Sequence, residues 1–142
     1  YINLLNCIVM KIKMMFIVVS ALIILYSNKS CAQENKWVAP KYSNDLINPF
    51  KGKESATAEG KKIFNQMCVL CHGIYGKGNG EAGLSLEKKP ANFLALNVIN
   101  QTDGAIFWKI THGNPPMAPY EGLLSEEQRW KLVNYIRELE KR

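Results

Sequence analysis

Two thiols and an imidazole stand within one short stretch, Cys68-Val69-Leu70-Cys71-His72. Three kinds of chemistry use such a group. A structural zinc site needs four ligands, and past residue 32 the chain adds only His112 to this set. A thioredoxin-like dithiol pair needs a βαβ setting, which the helical period of the flanking sequence lacks. The third chemistry is a double thioether: each thiol adds to one vinyl group of a haem, and the histidine that follows is held beneath the iron as an axial ligand. Two covalent links leave that imidazole little freedom to miss. The spacing predicts one covalent haem c on Cys68 and Cys71, with His72 as its proximal iron ligand.

The opposite face of the iron needs a ligand from elsewhere, and soft sulfur or imidazole are the usual choices. Past residue 32 the methionines are Met67 and Met117. Met67 adjoins Cys68 on the attachment side and reads as packing at the end of a helix. Met117 lies in Gly113-Asn114-Pro115-Pro116-Met117-Ala118-Pro119, where prolines fix the backbone and reduce the entropy lost in presenting a side chain. Met117 is the expected distal ligand. His112, five residues upstream, is its rival, but a histidine at a helix end reads more simply as a cap or surface group. An iron closed by His72 and Met117 has no open position for a substrate, so the expected role is an electron carrier and not an enzyme. The competing reading displaces Met117 and lets the haem bind a gas or reduce peroxide.

The elements that must position these residues are helical. Ala58, Gly60, Ile63, Phe64 and Met67 share one helix face over roughly Thr57 to Met67 and deliver the chain into Cys68. A glycine-rich loop follows, Gly73 to Gly83; it lacks the lysine-serine/threonine ending and preceding strand of a phosphate cradle. A second helix is predicted from Asp103 to Thr111, with Thr102 as N-cap and Gly113 as stop. The last helix opens on Ser125 and Gln128, a capping-box pair, and carries Trp130, Leu132, Val133, Ile136 and Leu139 as a broad apolar face. No segment alternates as a strand, and the fold class is all-α. Trp108, Trp130, Phe107 and Tyr135 read as core packing around the macrocycle, and haem itself must supply much of the buried apolar surface in so small a domain.

The remaining sequence has the grammar of export. The chain has 142 residues, 47% of them apolar, and a net charge of +6. From Met10 it reads Lys11, Lys13, then an uncharged apolar run from Met14 to Tyr26, then polar Ser27 to Ser30. This run is short of the roughly 20 residues of a spanning helix and predicts a signal peptide over 10–32. Residues 1–9 read as translated upstream sequence. Two cuts compete: after Ala32, or before a lipidated Cys31, which would associate the protein with a membrane. Either leaves 15 basic and 12 acidic residues and a charge near +3, with no basic run interleaved with aromatics, so a nucleic-acid partner is not expected. Residues 33–53, with Trp37, Pro40, Pro49 and Gly52, read as an extended tether or wrapping arm, and residues 54–142 as the folded domain.

Residues from about Ser55 to Arg142 resemble a class I cytochrome c domain, as in the small bacterial monohaem cytochromes. The resemblance rests on Gly60 and Phe64, the motif Cys68 to His72, Met117 in its proline-bracketed loop, and Trp130-Lys131-Leu132-Val133-Asn134-Tyr135-Ile136. It implies that the first and last helices cross with Gly60 and Phe64 against Leu132 and Tyr135, and that Pro90-Ala91-Asn92-Phe93 runs beside the haem. Many relatives have proline directly after the methionine, where this chain has Ala118. The expectation is therefore a monomeric periplasmic carrier, free or lipid-anchored, that exchanges electrons with a respiratory donor and acceptor, or else a fixed haem subunit of a larger respiratory complex.

Overall fold

The structure, a computed structural model, describes residues 10–16, 19–20 and 37–141. Residues 1–9 and the two cleavage positions near Cys31 lie outside the described residues. Residues 10–16 and 19–20 are helical with exposed side chains, and among the described residues no helix is long and apolar enough to cross a membrane. The unit from Trp37 onward is described by itself below.

This unit is built from α1 (Glu54–Met67), α2 (Val69–His72), α3 (Glu81–Ser85), α4 (Leu96–Ile99), α5 (Asp103–His112) and α6 (Glu126–Leu139). Among the described residues there is no strand, only an isolated bridge between Asn114 and Met117. Helix α1 opens three residues earlier than the periodicity predicts, since Glu54 to Ala56 extend it at the N-terminal end, where Lys53 offers no side-chain cap. The other two long helices begin where their caps direct. The Ala105 amide donates to Thr102 Oγ1 at the start of α5, and Gly113, at φ +63°, ends it. At α6 both arms of the capping box form: the Ser125 amide donates to Gln128 Oε1 at 2.8 Å and the Gln128 amide to Ser125 Oγ at 3.2 Å.

The crossing of α1 and α6 is the core of the unit, and it needs a glycine. At Gly60 the helices approach so closely that any Cβ would fall on the Lys131 carbonyl. Beside this contact Phe64 meets Tyr135 edge to face, with ring centroids 5.2 Å apart, and both are buried with Leu132, Val133 and Ile136. The crossing implied by the resemblance is thus present. Phe107 and Trp130 stack in the same core, centroids 3.9 Å apart. Trp108 differs from its expected core role: it is half-buried, stacks on His112 and donates from Nε1 to Tyr42 Oη.

Residues 37–53, read from the sequence as part of an extended tether or wrapping arm, form a strap docked on α5 and α6. A 3-10 helix, Lys41–Asp45, lays the buried Ser43 against Gly104, whose missing side chain makes room for the Ser43 carbonyl. The buried Asn48 amide donates to Asn134 Oδ1 at 2.8 Å, and the Asn134 amide donates back to the Phe50 carbonyl. Trp37 lies beneath the Lys109 ammonium.

Candidate functional site

The attachment motif is itself one helical turn. Cys68 ends α1, its amide bonded to Phe64 O, and the chain continues at once into α2, with the His72 amide on Cys68 O at 2.8 Å and that of Gly73 on Val69 O at 2.8 Å. Residues 68, 71 and 72 therefore stand at i, i+3 and i+4, on one side of the turn. Gly73, at φ +77°, then turns the chain away. The glycine-rich loop folds back over the motif: Gly80 donates to Cys71 O and Gly78 to His72 O. Side chains at Gly80 or Gly83 would collide with the backbone of the turn. The carbonyls a helix end leaves open are thus satisfied by the loop.

His72 is fixed from two directions. Its Nδ1 lies 3.1 Å from Ala91 O, and because a carbonyl can only accept, Nδ1 carries the proton and Nε2 keeps its lone pair. Metal-bound histidines use this arrangement routinely. The ring stacks on Phe93, centroids 4.5 Å apart. Burial draws the imidazole below its usual pKa, against the opposing effect of the Ala91 bond, and so favours the neutral ligand form. The segment Pro90 to Phe93 is tied to the glycine loop through the Phe93 amide and Gly76 O at 2.8 Å. Its contribution is a backbone carbonyl and a ring face for His72.

The donor set fits a haem. Both cysteines are free, and burial, followed by the Cys71 charge, pushes the Cys68 thiol up to about 12. A sulfur so placed resists becoming a thiolate, whereas a thioether sulfur carries no charge and is buried without that cost. Leu70, Ile74, Tyr75 and Leu84 leave exposed apolar side chains in and around the turn. Among the described residues no group of three or more His, Cys, Asp or Glu could hold a metal ion.

Met117 lies in the predicted loop and is half-buried. The loop closes on itself, Asn114 N–H to Met117 O at 2.9 Å and Met117 N–H to Asn114 O at 3.0 Å. It then returns along the end of α5 through Tyr120 N–H to Ile110 O and Glu121 N–H to Thr111 O. Tyr120 links this loop to the attachment side: its hydroxyl donates to Met67 O at 3.2 Å. Burial, and after it the charges of Cys68 and Cys71, push this phenol above its usual pKa. The rival ligand, His112, is held within α5: its Nδ1 bonds Trp108 O at 2.8 Å, its ring stacks on Trp108, and its side chain is exposed. Sequence reasoning set Ala91 beside the haem without its bond to His72, and missed Tyr120. Ala91 acts through a carbonyl that every residue has, and Tyr120 through a backbone partner 53 residues away.

The chain is similar to known proteins. Residues 55–136 match the family model of cytochrome c oxidase, cbb3-type, subunit III. A curated relative, cytochrome c6 of Parathermosynechococcus lividus, is 30% identical over 80 residues, covering 56% of this chain and 85% of the relative. Among solved structures, the Kuenenia stuttgartiensis reducing HAO-like protein complex Kustc0457/Kustc0458 contains a chain that superposes with a TM-score of 0.57 at 25% identity. That match covers 66% of this chain and 49% of the other, so this chain spans about half the length of the solved one.

Proposed function

We take the family as premise and propose the rest: the chain belongs to the cytochrome c family of cbb3-type cytochrome c oxidase subunit III, is a class I c-type cytochrome with covalent haem c, and serves as an exported one-electron carrier closed by Met117. Bound at this site, haem iron supplies the one-electron change between ferrous and ferric states. Cys68 and Cys71 would hold the group through thioethers, and His72 and the Met117 sulfur would be the ligands of its iron. With both faces taken, no substrate position is left, and the chain's residues only hold, orient and keep dry.

The observation that carries this reading is the His72 ring. It is locked between Ala91 O and Phe93 with its Nε2 free, directly beside two free thiols on the same turn. Methionine sulfur favours ferrous iron relative to a second imidazole, and a dry pocket disfavours the extra charge of ferric iron. The midpoint potential accordingly lies on the positive side of the haem range. The redox partners are a respiratory donor and acceptor, reached in the periplasm by a protein that is either free or anchored through lipidated Cys31.

A far-red absorption spectrum of the oxidised protein tests the ligand set. The sulfur-to-iron charge-transfer band is expected in the unaltered protein and absent from Met117→Ala. Its absence from the unaltered protein sinks the assignment of Met117, and carbon monoxide binding to the reduced protein at neutral pH favours a gas-binding haem instead. A second reading makes the chain a fixed haem subunit, since the matched family model describes an oxidase subunit and the matched structure a complex. Co-purification with membrane partners, as opposed to isolation alone, separates the two.

A further inference from the structure

One buried cation has no part in the site so far described. Arg129, in the first turn and a half of α6, is 7% exposed, and it takes part in none of the ion pairs among the described residues. Its neighbour Glu127 is committed to Lys131, at 2.6 Å. The guanidinium Nη1 donates to two backbone carbonyls, Leu124 O at 2.9 Å and Glu121 O at 3.2 Å. Its carbon lies 5.3 Å from the centre of the Phe107 ring, and its Nε is buried with no partner. Each of these features is unfavourable for a residue that merely fills space: a charge out of water, no counter-ion, and an unpaired donor. A methionine would occupy the volume without them.

The two carbonyls explain why a cation stands there. Glu121 and Leu124 belong to the segment that carries the chain from Met117 into α6, and Glu121 is only four residues past Met117. One edge of this segment is pinned to α5 by the Tyr120 and Glu121 amides on Ile110 O and Thr111 O. Arg129 pins it from the α6 side. Both bonds leave one nitrogen, Nη1, at the far end of a planar group that lies over the Phe107 ring; the shorter lysine side chain carries its ammonium short of that position.

We propose that Arg129 is a positioning residue for the distal iron ligand: its buried guanidinium locks residues 120–124 so that Met117 sulfur is held at the iron, and its uncompensated positive charge favours the ferrous state. This rests on the reading of Met117 as ligand. Loss of the clamp frees the loop on its α6 side, while the attachment turn keeps its own closure through the glycine loop and Ala91.

The test compares the holoprotein with Arg129→Met and Arg129→Lys. Imidazole can bind the oxidised iron only by displacing the Met117 sulfur, so its affinity measures how firmly the loop holds that sulfur. Losing a hydrogen-bonded charge clamp of ordinary strength tightens imidazole binding about tenfold in Arg129→Met, and the midpoint potential falls. Arg129→Lys keeps the charge but not the bridge, so imidazole binding tightens while the potential falls less. If the methionine variant does not accumulate as folded holoprotein, the lysine variant carries the same affinity test. A purely structural role predicts the opposite pattern: a lower urea midpoint with imidazole affinity and potential unchanged, and that result overturns the proposal. A far-red sulfur band in the unaltered protein with unchanged imidazole affinity in both variants defeats this inference alone. Lack of the band in the unaltered protein defeats the ligand assignment and this inference together.

Discussion

The two faces proposed for the iron are held by different means. On the attachment face, Cys68, Cys71 and His72 occupy one helical turn, and every group that fixes them lies between Phe64 and Phe93. On the face we propose as distal, Met117 sits in a loop whose contacts reach Met67, the end of α5 and Arg129 in α6. One face is secured by covalent bonds and local backbone closure. The other is only as firm as the packing of elements far apart in sequence. The attachment face should therefore be nearly all-or-none in its response to substitution, and the distal face graded, which makes the distal face the place where ligand strength and potential are tuned.

The sharpest way to break that contrast is at the thiols. Cys68→Ser with Cys71→Ser removes both thioethers, and haem staining on a denaturing gel should vanish completely. Met117→Ala should leave the stain undiminished. If the double variant still holds haem through denaturation, attachment does not run through these residues.

Gly60 supports both faces, because α1 delivers the attachment turn and α6 anchors the distal loop. A methyl group at Gly60 collides with the Lys131 carbonyl, a rigid neighbour on the opposing helix. Overpacking of this kind costs about 3 kcal/mol. In urea, Gly60→Ala should lose helicity and the far-red band together at a much lower midpoint. Separation of the two losses would show that the crossing serves one face more than the other.

Acid separates the faces through His72. Burial depresses its folded pKa in the ligand-free chain, and a bond from Nε2 to iron would act in the same direction, so the folded state keeps the ring neutral while the unfolded chain takes up a proton near the ordinary imidazole value of about 6.5. The unfolded state then binds more protons, and stability rises with pH across that window. The contribution is fully present above about pH 6.5 and is lost progressively below it, until the depressed folded value is reached. Urea midpoints should be flat from neutral to mildly alkaline pH and fall on acidification. Met117→Ala should show the same slope, since the effect belongs to the attachment face; a slope that disappears in that variant assigns it to the distal side.

What could be read from the sequence follows the same division. Cys68 to His72 were legible because their chemistry demands one spacing within one turn, and the capped starts of α5 and α6 because Thr102 and Ser125 act on amides three residues away. The crossing of α1 and α6 came from the family resemblance, and its physical reason, that no other residue can take the place of Gly60, needed the structure. Met117 stood out by its prolines. Its supports did not: Arg129 follows Glu126, Glu127 and Gln128 and reads as one more charge on a solvated first turn, while the structure buries it on carbonyls. The strap is the same case. Asn48 and Asn134 are 86 positions apart and pair through amides that carry no periodic signal.

The smallest effect should come from Ser125, and it tests whether the distal face is graded. Its hydroxyl accepts the Gln128 amide, and its own amide is answered by the Gln128 side chain, so the pair fixes the first turn of α6 directly before Arg129. Leu124, whose carbonyl Arg129 holds, is the residue immediately before the cap. Ser125→Ala removes the hydroxyl and should cost about 1 kcal/mol of stability. Fraying of that turn lets Arg129 drift from its carbonyls without removing the charge. Imidazole affinity for the oxidised iron should therefore rise by less than in Arg129→Met, with the haem stain unchanged and the potential scarcely moved. An affinity equal to that of the unaltered protein would mean that the loop is held from the α5 side alone, through the Tyr120 and Glu121 amides.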